Sequence, residues 1–298
     1  MRPVLMPAAC LCAAAAAQQT PGAAGEAQTL AALAQAAAEA SGPVMHGTVG
    51  GGFTSAYFFR GMLQEIQGAI AEPYLGLAMP VLESPGTLRA LDVTLGQWNS
   101  LQDGPTGTAD TQSMWYQHDL YVGMQAHVDD RWTVGSVYTA YYSPNRTFDT
   151  VQEVAFSLAY DDGAPGGGFA LRPSALVAIE TAGQNDRAGS SGVYGEVAIA
   201  PELGIGDVGG YDVTLALPVR LGLSLGDYYE TPGGGDSTFG YLDLGCVLRA
   251  PLAFLPSRLG PWLGTIGCHV LLLGDSNELR NDGDAVEWIV SCGFSTTF

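Results

Sequence analysis

Two kinds of chemistry are open to this chain, and both depend on which residues share a surface. Ionisable side chains recur at alternate positions of extended segments: Arg60, Glu72, Asp92, Asp119, Glu153, Arg172, Glu180, Glu196, Glu202, Asp212, Arg220, Asp243, Arg249 and Glu287. Ten are acids and four are arginines. Gathered on one enclosed face, they can line an aqueous path that favours cations, as charged rings do in channels. The same groups can instead pair across the interior and close it. Asp92, Glu196, Arg220, Asp243 and His269 fall near the middle of their segments and are the expected constriction. The second chemistry is nucleophilic. Ser100 and Ser113 flank a polar connector and His118 follows it; a serine within hydrogen-bond reach of an oriented base can attack an ester. Nothing in the sequence supplies a third partner, and His127 and His269 read as single polar residues on the inward face. The acidic segment 275–284 lacks the ligand spacing of a calcium loop. No cofactor or metal is expected.

The elements that must carry these residues are strands. From Val286 the even positions read Val286, Trp288, Val290, Cys292, Phe294, Thr296, Phe298, and the odd positions Ala285, Glu287, Ile289, Ser291, Gly293, Ser295, Thr297. A period of two is the strand signature. An apolar face with rings at its ends, opposite a small and mostly polar face, suits a transmembrane β-barrel strand. Twelve such segments are predicted, at roughly 45–60, 69–82, 87–99, 114–128, 131–143, 148–160, 168–181, 192–205, 210–226, 237–250, 259–273 and 284–298. Each reaches the roughly 9–11 residues that an oblique crossing needs. The fifth is ambiguous in face. Placing every apolar face outward leaves only Arg89 in an outward register, near a strand end where it can snorkel. The expected fold is therefore all-β: an antiparallel up-and-down transmembrane barrel of about twelve strands.

Composition agrees. Charged residues are 14% of the 298, there is no lysine, and the net charge of −19 argues against nucleic acid as a partner. Residues 1–17 follow Arg2 with a short alanine-rich apolar run and read as a secretory signal peptide, cleaved near Ala17. The Ala-rich segment 18–43 is expected to be a periplasmic linker or short helix, with a plug inside the barrel as the alternative, and 44–298 the barrel. Cys246, Cys268 and Cys292 fall in outward registers, an odd number that allows at most one bridge. Small hydrophobes facing lipid is the simpler account of them.

Connectors give an independent sign. Those after odd strands, such as 101–113, 182–191, 227–236 and 274–283, are polar and long. Those after even strands are mostly shorter, 251–258 excepted. Outer-membrane barrels show this asymmetry, with short periplasmic turns. A soluble sandwich or lipocalin-like barrel would instead carry many charges on its water-facing side. The expected location is the bacterial outer membrane. The expected partners are its lipid, small solutes, and the assembly machinery that reads the last strand and its terminal Phe298.

Several segments resemble a known family. Ser55-Ala56-Tyr57-Phe58-Phe59-Arg60-Gly61 resembles the Ser-x-Tyr-x-Phe-Arg-Gly opening of the family of proposed porins known as TorF. Gln64, Gly68, Glu72 and Pro73 loosely match its continuation. Gly96-Gln97-Trp98-Asn99-Ser100 is similar to its Gly-x-Trp-x-Ser-Asn segment, with the last two residues as Asn-Ser here. Tyr141-Tyr142-Ser143-Pro144-Asn145, with Glu153 beyond, resembles its aromatic strand and following glutamate. The resemblance covers about residues 48–160 and implies an outer-membrane barrel with channel function, without substrate or catalytic residues. On this reading Arg60 faces inward at the outer rim, beside the turn at Gly61, and can pair with Glu72 on the next strand. A closed structural or surface-interaction barrel, and an outer-membrane phospholipase-like enzyme built on His118, are the rival readings. An enzyme is not expected.

Overall fold

The computed structural model describes residues 45–104, 114–163, 169–186, 189, 191–207, 212–231 and 235–298. Residues 1–17, read above as a signal peptide, the 18–43 segment and Ser113 lie outside these residues. Twelve antiparallel strands close on themselves. They are β1 (His46–Thr54), β2 (Ile70–Ala71 and Tyr74–Glu83), β3 (Leu88–Gln102), β4 (Trp115–Val128), β5 (Trp132–Tyr142) and β6 (Val151–Tyr160). The second half is β7 (Ser174–Ala182), β8 (Val193–Ile199 and Glu202–Asp207), β9 (Asp212–Ala216 and Val219–Gly226), β10 (Phe239–Pro251), β11 (Trp262–Leu273) and β12 (Val286–Thr297). Each strand pairs with its sequence neighbour, and β12 returns to β1 from Thr48 opposite Thr297 to Thr54 opposite Ser291. Closure removes every sheet edge, as a barrel in lipid requires. Phe298 extends the seam through two backbone hydrogen bonds to Gly47, of 2.8 and 2.9 Å.

Proline sets the breaks. Pro73, Pro201 and Pro218 each fall at the interruption of a two-part strand, since proline cannot donate to the ladder. The carbonyls around the breaks stay useful: Leu217 N–H donates to Pro201 O and Gly245 N–H to Pro218 O.

The barrel shows the apolar-out, polar-in pattern of the transmembrane class. Val122, Phe156, Val197, Leu244, Ile266 and Val290 are exposed outward in mid-barrel. Aromatic residues gather toward the ends: Trp115 and Tyr142 at one, Trp132, Tyr160, Trp262 and Phe294 at the other. Register settles the face of β5. Tyr138 lies opposite Val122 and points out, while Thr139 lies opposite Glu153 and points in.

The first strand departs from expectation. It ends at Thr54, and Tyr57–Phe59 and Met62–Glu65 form a separate hairpin that folds into the barrel. Tyr57, Phe58, Phe59, Arg60, Met62 and Glu65 are all buried, between 0% and 4% exposed. The physical reason is in the residues: three consecutive aromatics break the apolar-out, polar-in alternation that a wall strand needs. Phe59 pairs with Met62 across a two-residue turn in which Arg60 and Gly61 have φ of 50° and 81°. Two positive φ values mark the type I′ hairpin turn, where Asn-Gly is preferred. Arginine there accepts strain of about 1–2 kcal/mol.

The interior around this hairpin is aromatic. Tyr74, Trp98, Tyr116, Tyr141, Tyr194 and Tyr241 from the wall, with Tyr228 and Tyr229 from the β9–β10 connector, pack into one cluster with it. The barrel makes room with glycine. A β-carbon at Gly222 would sit 2.1 Å from the Tyr241 ring on the opposed strand, and one at Gly240 would sit 2.1 Å from the Tyr229 ring. Rings thus lie flat over bare backbone, which lets large side chains share a narrow lumen.

The short helix α1 (Asp275–Arg280) closes the same end from the β11–β12 connector. Asn277 Nδ2 donates to Gly240 O, and Ser276 Oγ and Arg280 Nη2 both donate to Glu230 O. The segment read as an acidic loop is therefore partly helical and packed.

Candidate functional site

The inward charges form three layers along the barrel axis. The first lies under the hairpin end. Arg60 makes a bidentate pair with Glu153 on β6, Nη1 to Oε2 at 2.6 Å and Nη2 to Oε1 at 2.7 Å. Nη1 also donates to the Tyr228 hydroxyl at 2.8 Å. The guanidinium carbon stands 4.2 Å from the centroid of the Tyr194 ring, 5.1 Å from that of Phe59 and 5.5 Å from that of Tyr228. Tyr229 donates to the Arg60 carbonyl and pins the turn. Arg60 and Glu153 are 1% and 2% exposed. The expected Arg60–Glu72 pair is thus corrected. The hairpin carries Arg60 across the lumen to β6, while Glu72 sits at the Pro73 break with Oε1 buried and unpartnered.

Glu180 lies directly opposite Glu153 on the neighbouring strand, and accepts from the Asn185 and Gly192 amides at 2.7 Å each. Asp119 accepts from Gln117 Nε2, and Gln117 Oε1 accepts from the Tyr57 hydroxyl of the hairpin. Glu287 takes Asn281 Nδ2 at 2.9 Å, near α1.

The second layer is central. Asp243 on β10 accepts from Arg220 on β9 at 3.0 Å and bonds His269 Nδ1 on β11 at 2.9 Å. Asp243 is fully buried. Glu196 accepts from the Tyr194 and Tyr241 hydroxyls at 2.7 and 3.0 Å. His269 is therefore not the single polar residue expected: its ring nitrogen and the Asp243 carboxylate meet across adjacent strands.

The third layer lies toward the chain termini. Asp92 meets His127 Nε2 at 3.3 Å, so His127 is not single either. Arg172 and Arg249 share Glu202 at 2.9 and 3.2 Å. These side chains are wetter than those above: His127, Arg172 and Arg249 are 25%, 15% and 21% exposed. The lumen is thus packed at the hairpin end and more open to solvent at the terminal end.

Of the twelve residues expected to line the interior, the structure places Asp92, Asp119, Glu153, Glu180, Glu196, Arg220, Asp243 and His269 buried on the inward face, with Arg60 on the hairpin. Arg172 and Glu287 stand at opposite rims in the contacts already given. The five mid-strand candidates split into two contacts, Asp92 with His127 and Arg220–Asp243–His269, while Glu196 binds tyrosines. Sequence reasoning missed the hairpin and the clustering of the tyrosines around it. The signal for the hairpin was present as the Tyr57-Phe58-Phe59 run followed by Arg60-Gly61.

The hydrolase constellation does not assemble on the described residues. His118 Nδ1 bonds Asn99 Oδ1 at 2.8 Å beside Trp115, on the outward side. Ser100 is fully buried and accepts from Gln102 inside the barrel. Adjacent strand residues point to opposite faces. Cys246 and Cys268 lie directly opposite each other on β10 and β11 as free thiols, and Cys292 lies opposite Ile266.

No family model matches this chain, and no curated protein does. Solved barrels do. The NanC porin is similar at 13% identity and a TM-score of 0.45, over 84% of this chain and 98% of that one. The COG4313 outer membrane channel from Pseudomonas putida F1 is similar at 12% identity and a TM-score of 0.46, over 87% and 97%. The beta domain of the Bordetella autotransporter BrkA is similar at 13% identity and a TM-score of 0.42, over 85% and 98%.

Proposed function

We propose that the protein is a bacterial outer-membrane channel for small polar or cationic solutes, with a narrow, acid-lined lumen that the inner hairpin holds closed. The observation that carries this reading is the segregation of charge. The buried carboxylates face the lumen, while mid-barrel outward positions are apolar and rimmed by aromatic rings. An arginine on the outward face costs about 2–4 kcal/mol at a bilayer midplane and a carboxylate somewhat less, so this pattern suits lipid outside and water inside.

The balance of charge supports the cation preference. Arg60 and Arg220 are offset by Glu153 and Asp243, leaving Asp92, Asp119, Glu180 and Glu196 as further inward carboxylates. The resemblance of residues 48–160 to the TorF family supports the channel itself and says nothing of its selectivity. Export through residues 1–17 and insertion guided by the strand that ends at Phe298 belong to this proposal. The termini then face the periplasm and the hairpin end faces outward.

The kind of plug also supports a lumen that can open. Replacing a buried ion pair by packed apolar side chains is often neutral or stabilising. A plug whose only role was to fill space would gain nothing from Arg60 and Glu153. The burial of most of the hairpin, Leu63 and Gln64 being only partly covered, favours one second reading, a permanently closed structural barrel.

A salt gradient across a planar bilayer tests the selectivity. Discrete openings are expected to reverse at a cation-biased potential, and Asp92→Asn with Glu196→Gln is expected to move that potential toward zero. An anion-biased reversal, or one that the double variant leaves in place, contradicts the acid-lined reading.

A further inference from the structure

The surroundings of Arg60 form a complete receptor for a planar cation. Glu153 offers a carboxylate fork that takes two guanidinium nitrogens at once, the geometry for which arginine is the matched ligand. Tyr194 presents a ring face at 4.2 Å, and Tyr228 adds a hydroxyl acceptor. Both are aromatic contacts that attract a cation most strongly when dry. These groups come from β6, β8 and the β9–β10 connector, three separate parts of the wall, and Glu180 stands beside Glu153 as a second carboxylate.

The arginine that fills the receptor belongs to none of them. It arrives on a hairpin hung between β1 and β2, at a turn position with positive φ that arginine tolerates poorly. A tethered ligand of this kind competes with free solute at an effective concentration that is finite and set by its attachment. The backbone strain lowers its advantage further.

We propose that the cage of Glu153, Tyr194 and Tyr228 is a recognition site for a guanidinium-type organic cation, which Arg60 occupies as a built-in competitor. A solute bearing such a group displaces Arg60, and the hairpin loses the ion pair that holds it across the lumen. The entry route rests on the channel reading; the binding does not.

Methylguanidinium is the probe. Titrated into refolded Arg60→Ala and followed by intrinsic tyrosine and tryptophan fluorescence, it is expected to bind in the millimolar range or tighter. Binding to Arg60→Ala/Glu153→Gln is expected to be at least tenfold weaker. Equal responses in the two folded variants would overturn the proposal and leave an ordinary structural ion pair. If Arg60→Ala does not refold, Leu63→Cys carries the test in a chain that keeps Arg60 and Glu153 but has Cys246, Cys268 and Cys292 replaced by alanine, so that position 63 holds the one reactive thiol among the described residues. Its reaction with a water-soluble maleimide should quicken several-fold in millimolar methylguanidinium and not in equal potassium; an unchanged rate counts against the cage. Glu153-dependent binding without conductance in any variant would sink the channel reading and keep the cage. Conductance without such binding would do the reverse.

Discussion

Glu153→Gln is expected to destabilise the folded barrel by about 3–5 kcal/mol, the cost of leaving a buried charge without its partner. The guanidinium of Arg60 would keep the Tyr228 hydroxyl and the ring faces, but it is 1% exposed and has no water to turn to. Arg60→Met with Glu153→Leu removes both charges, and should recover most of the loss while leaving the hairpin seated on Tyr141, Tyr194 and Tyr229. Urea unfolding in detergent micelles, read by heat-modifiable mobility on gels, measures both. A single substitution costing less than about 1 kcal/mol would place the pair in a wet environment such as exposed salt bridges occupy, and the hairpin would then not be a dry plug.

Val122→Arg should be nearly as damaging, for a different reason. Val122 sits at the middle of β4 on the outward face, exposed in the isolated chain. A midplane arginine facing lipid costs about 2–4 kcal/mol in a membrane barrel. Ser157→Arg on β6 is the control. Ser157 faces inward and is half-buried, so the added charge can reach the more solvent-exposed lower lumen. Refolding yields into lipid vesicles should fall for Val122→Arg and hold for Ser157→Arg. The opposite order would mean that the apolar face is not in contact with lipid.

Much of the architecture is legible from alternation alone. The last strand, Val286–Thr297, and the pair β8 and β9 follow the period of two closely enough to fix their faces, because lipid and lumen impose opposite demands on successive residues. Even the proline breaks fall inside strands that the pattern still joins. What alternation cannot supply is partnership. Arg60 could be read as inward, but its reach to Glu153 depends on a hairpin that leaves the wall, and on a lumen narrow enough to cross. A single-strand pattern says nothing of the diagonal between Asp243 and His269, or of Cys246 standing opposite Cys268, since both depend on register between strands. The clustering of the tyrosines was invisible for a related reason. Tyr194 shares the inward register of Glu196, yet its meeting with Tyr228, Tyr229 and Tyr241 depends on a connector that folds inward and on Gly222 and Gly240, which make room for the Tyr241 and Tyr229 rings.

Thr54 and Ile70 are paired, so the hairpin between them can be excised without opening the sheet. The most direct test replaces 56–66 by a four-residue Gly-Ser turn and compares single-channel conductance with the intact chain in planar bilayers. The account predicts that the intact barrel opens rarely and in small steps. The shortened one should open in discrete, cation-biased steps at least several-fold larger. Two barrels that both refold, show heat-modifiable mobility and stay equally silent would contradict it, and the inward charges would then be structural ion pairs within a permanently closed wall.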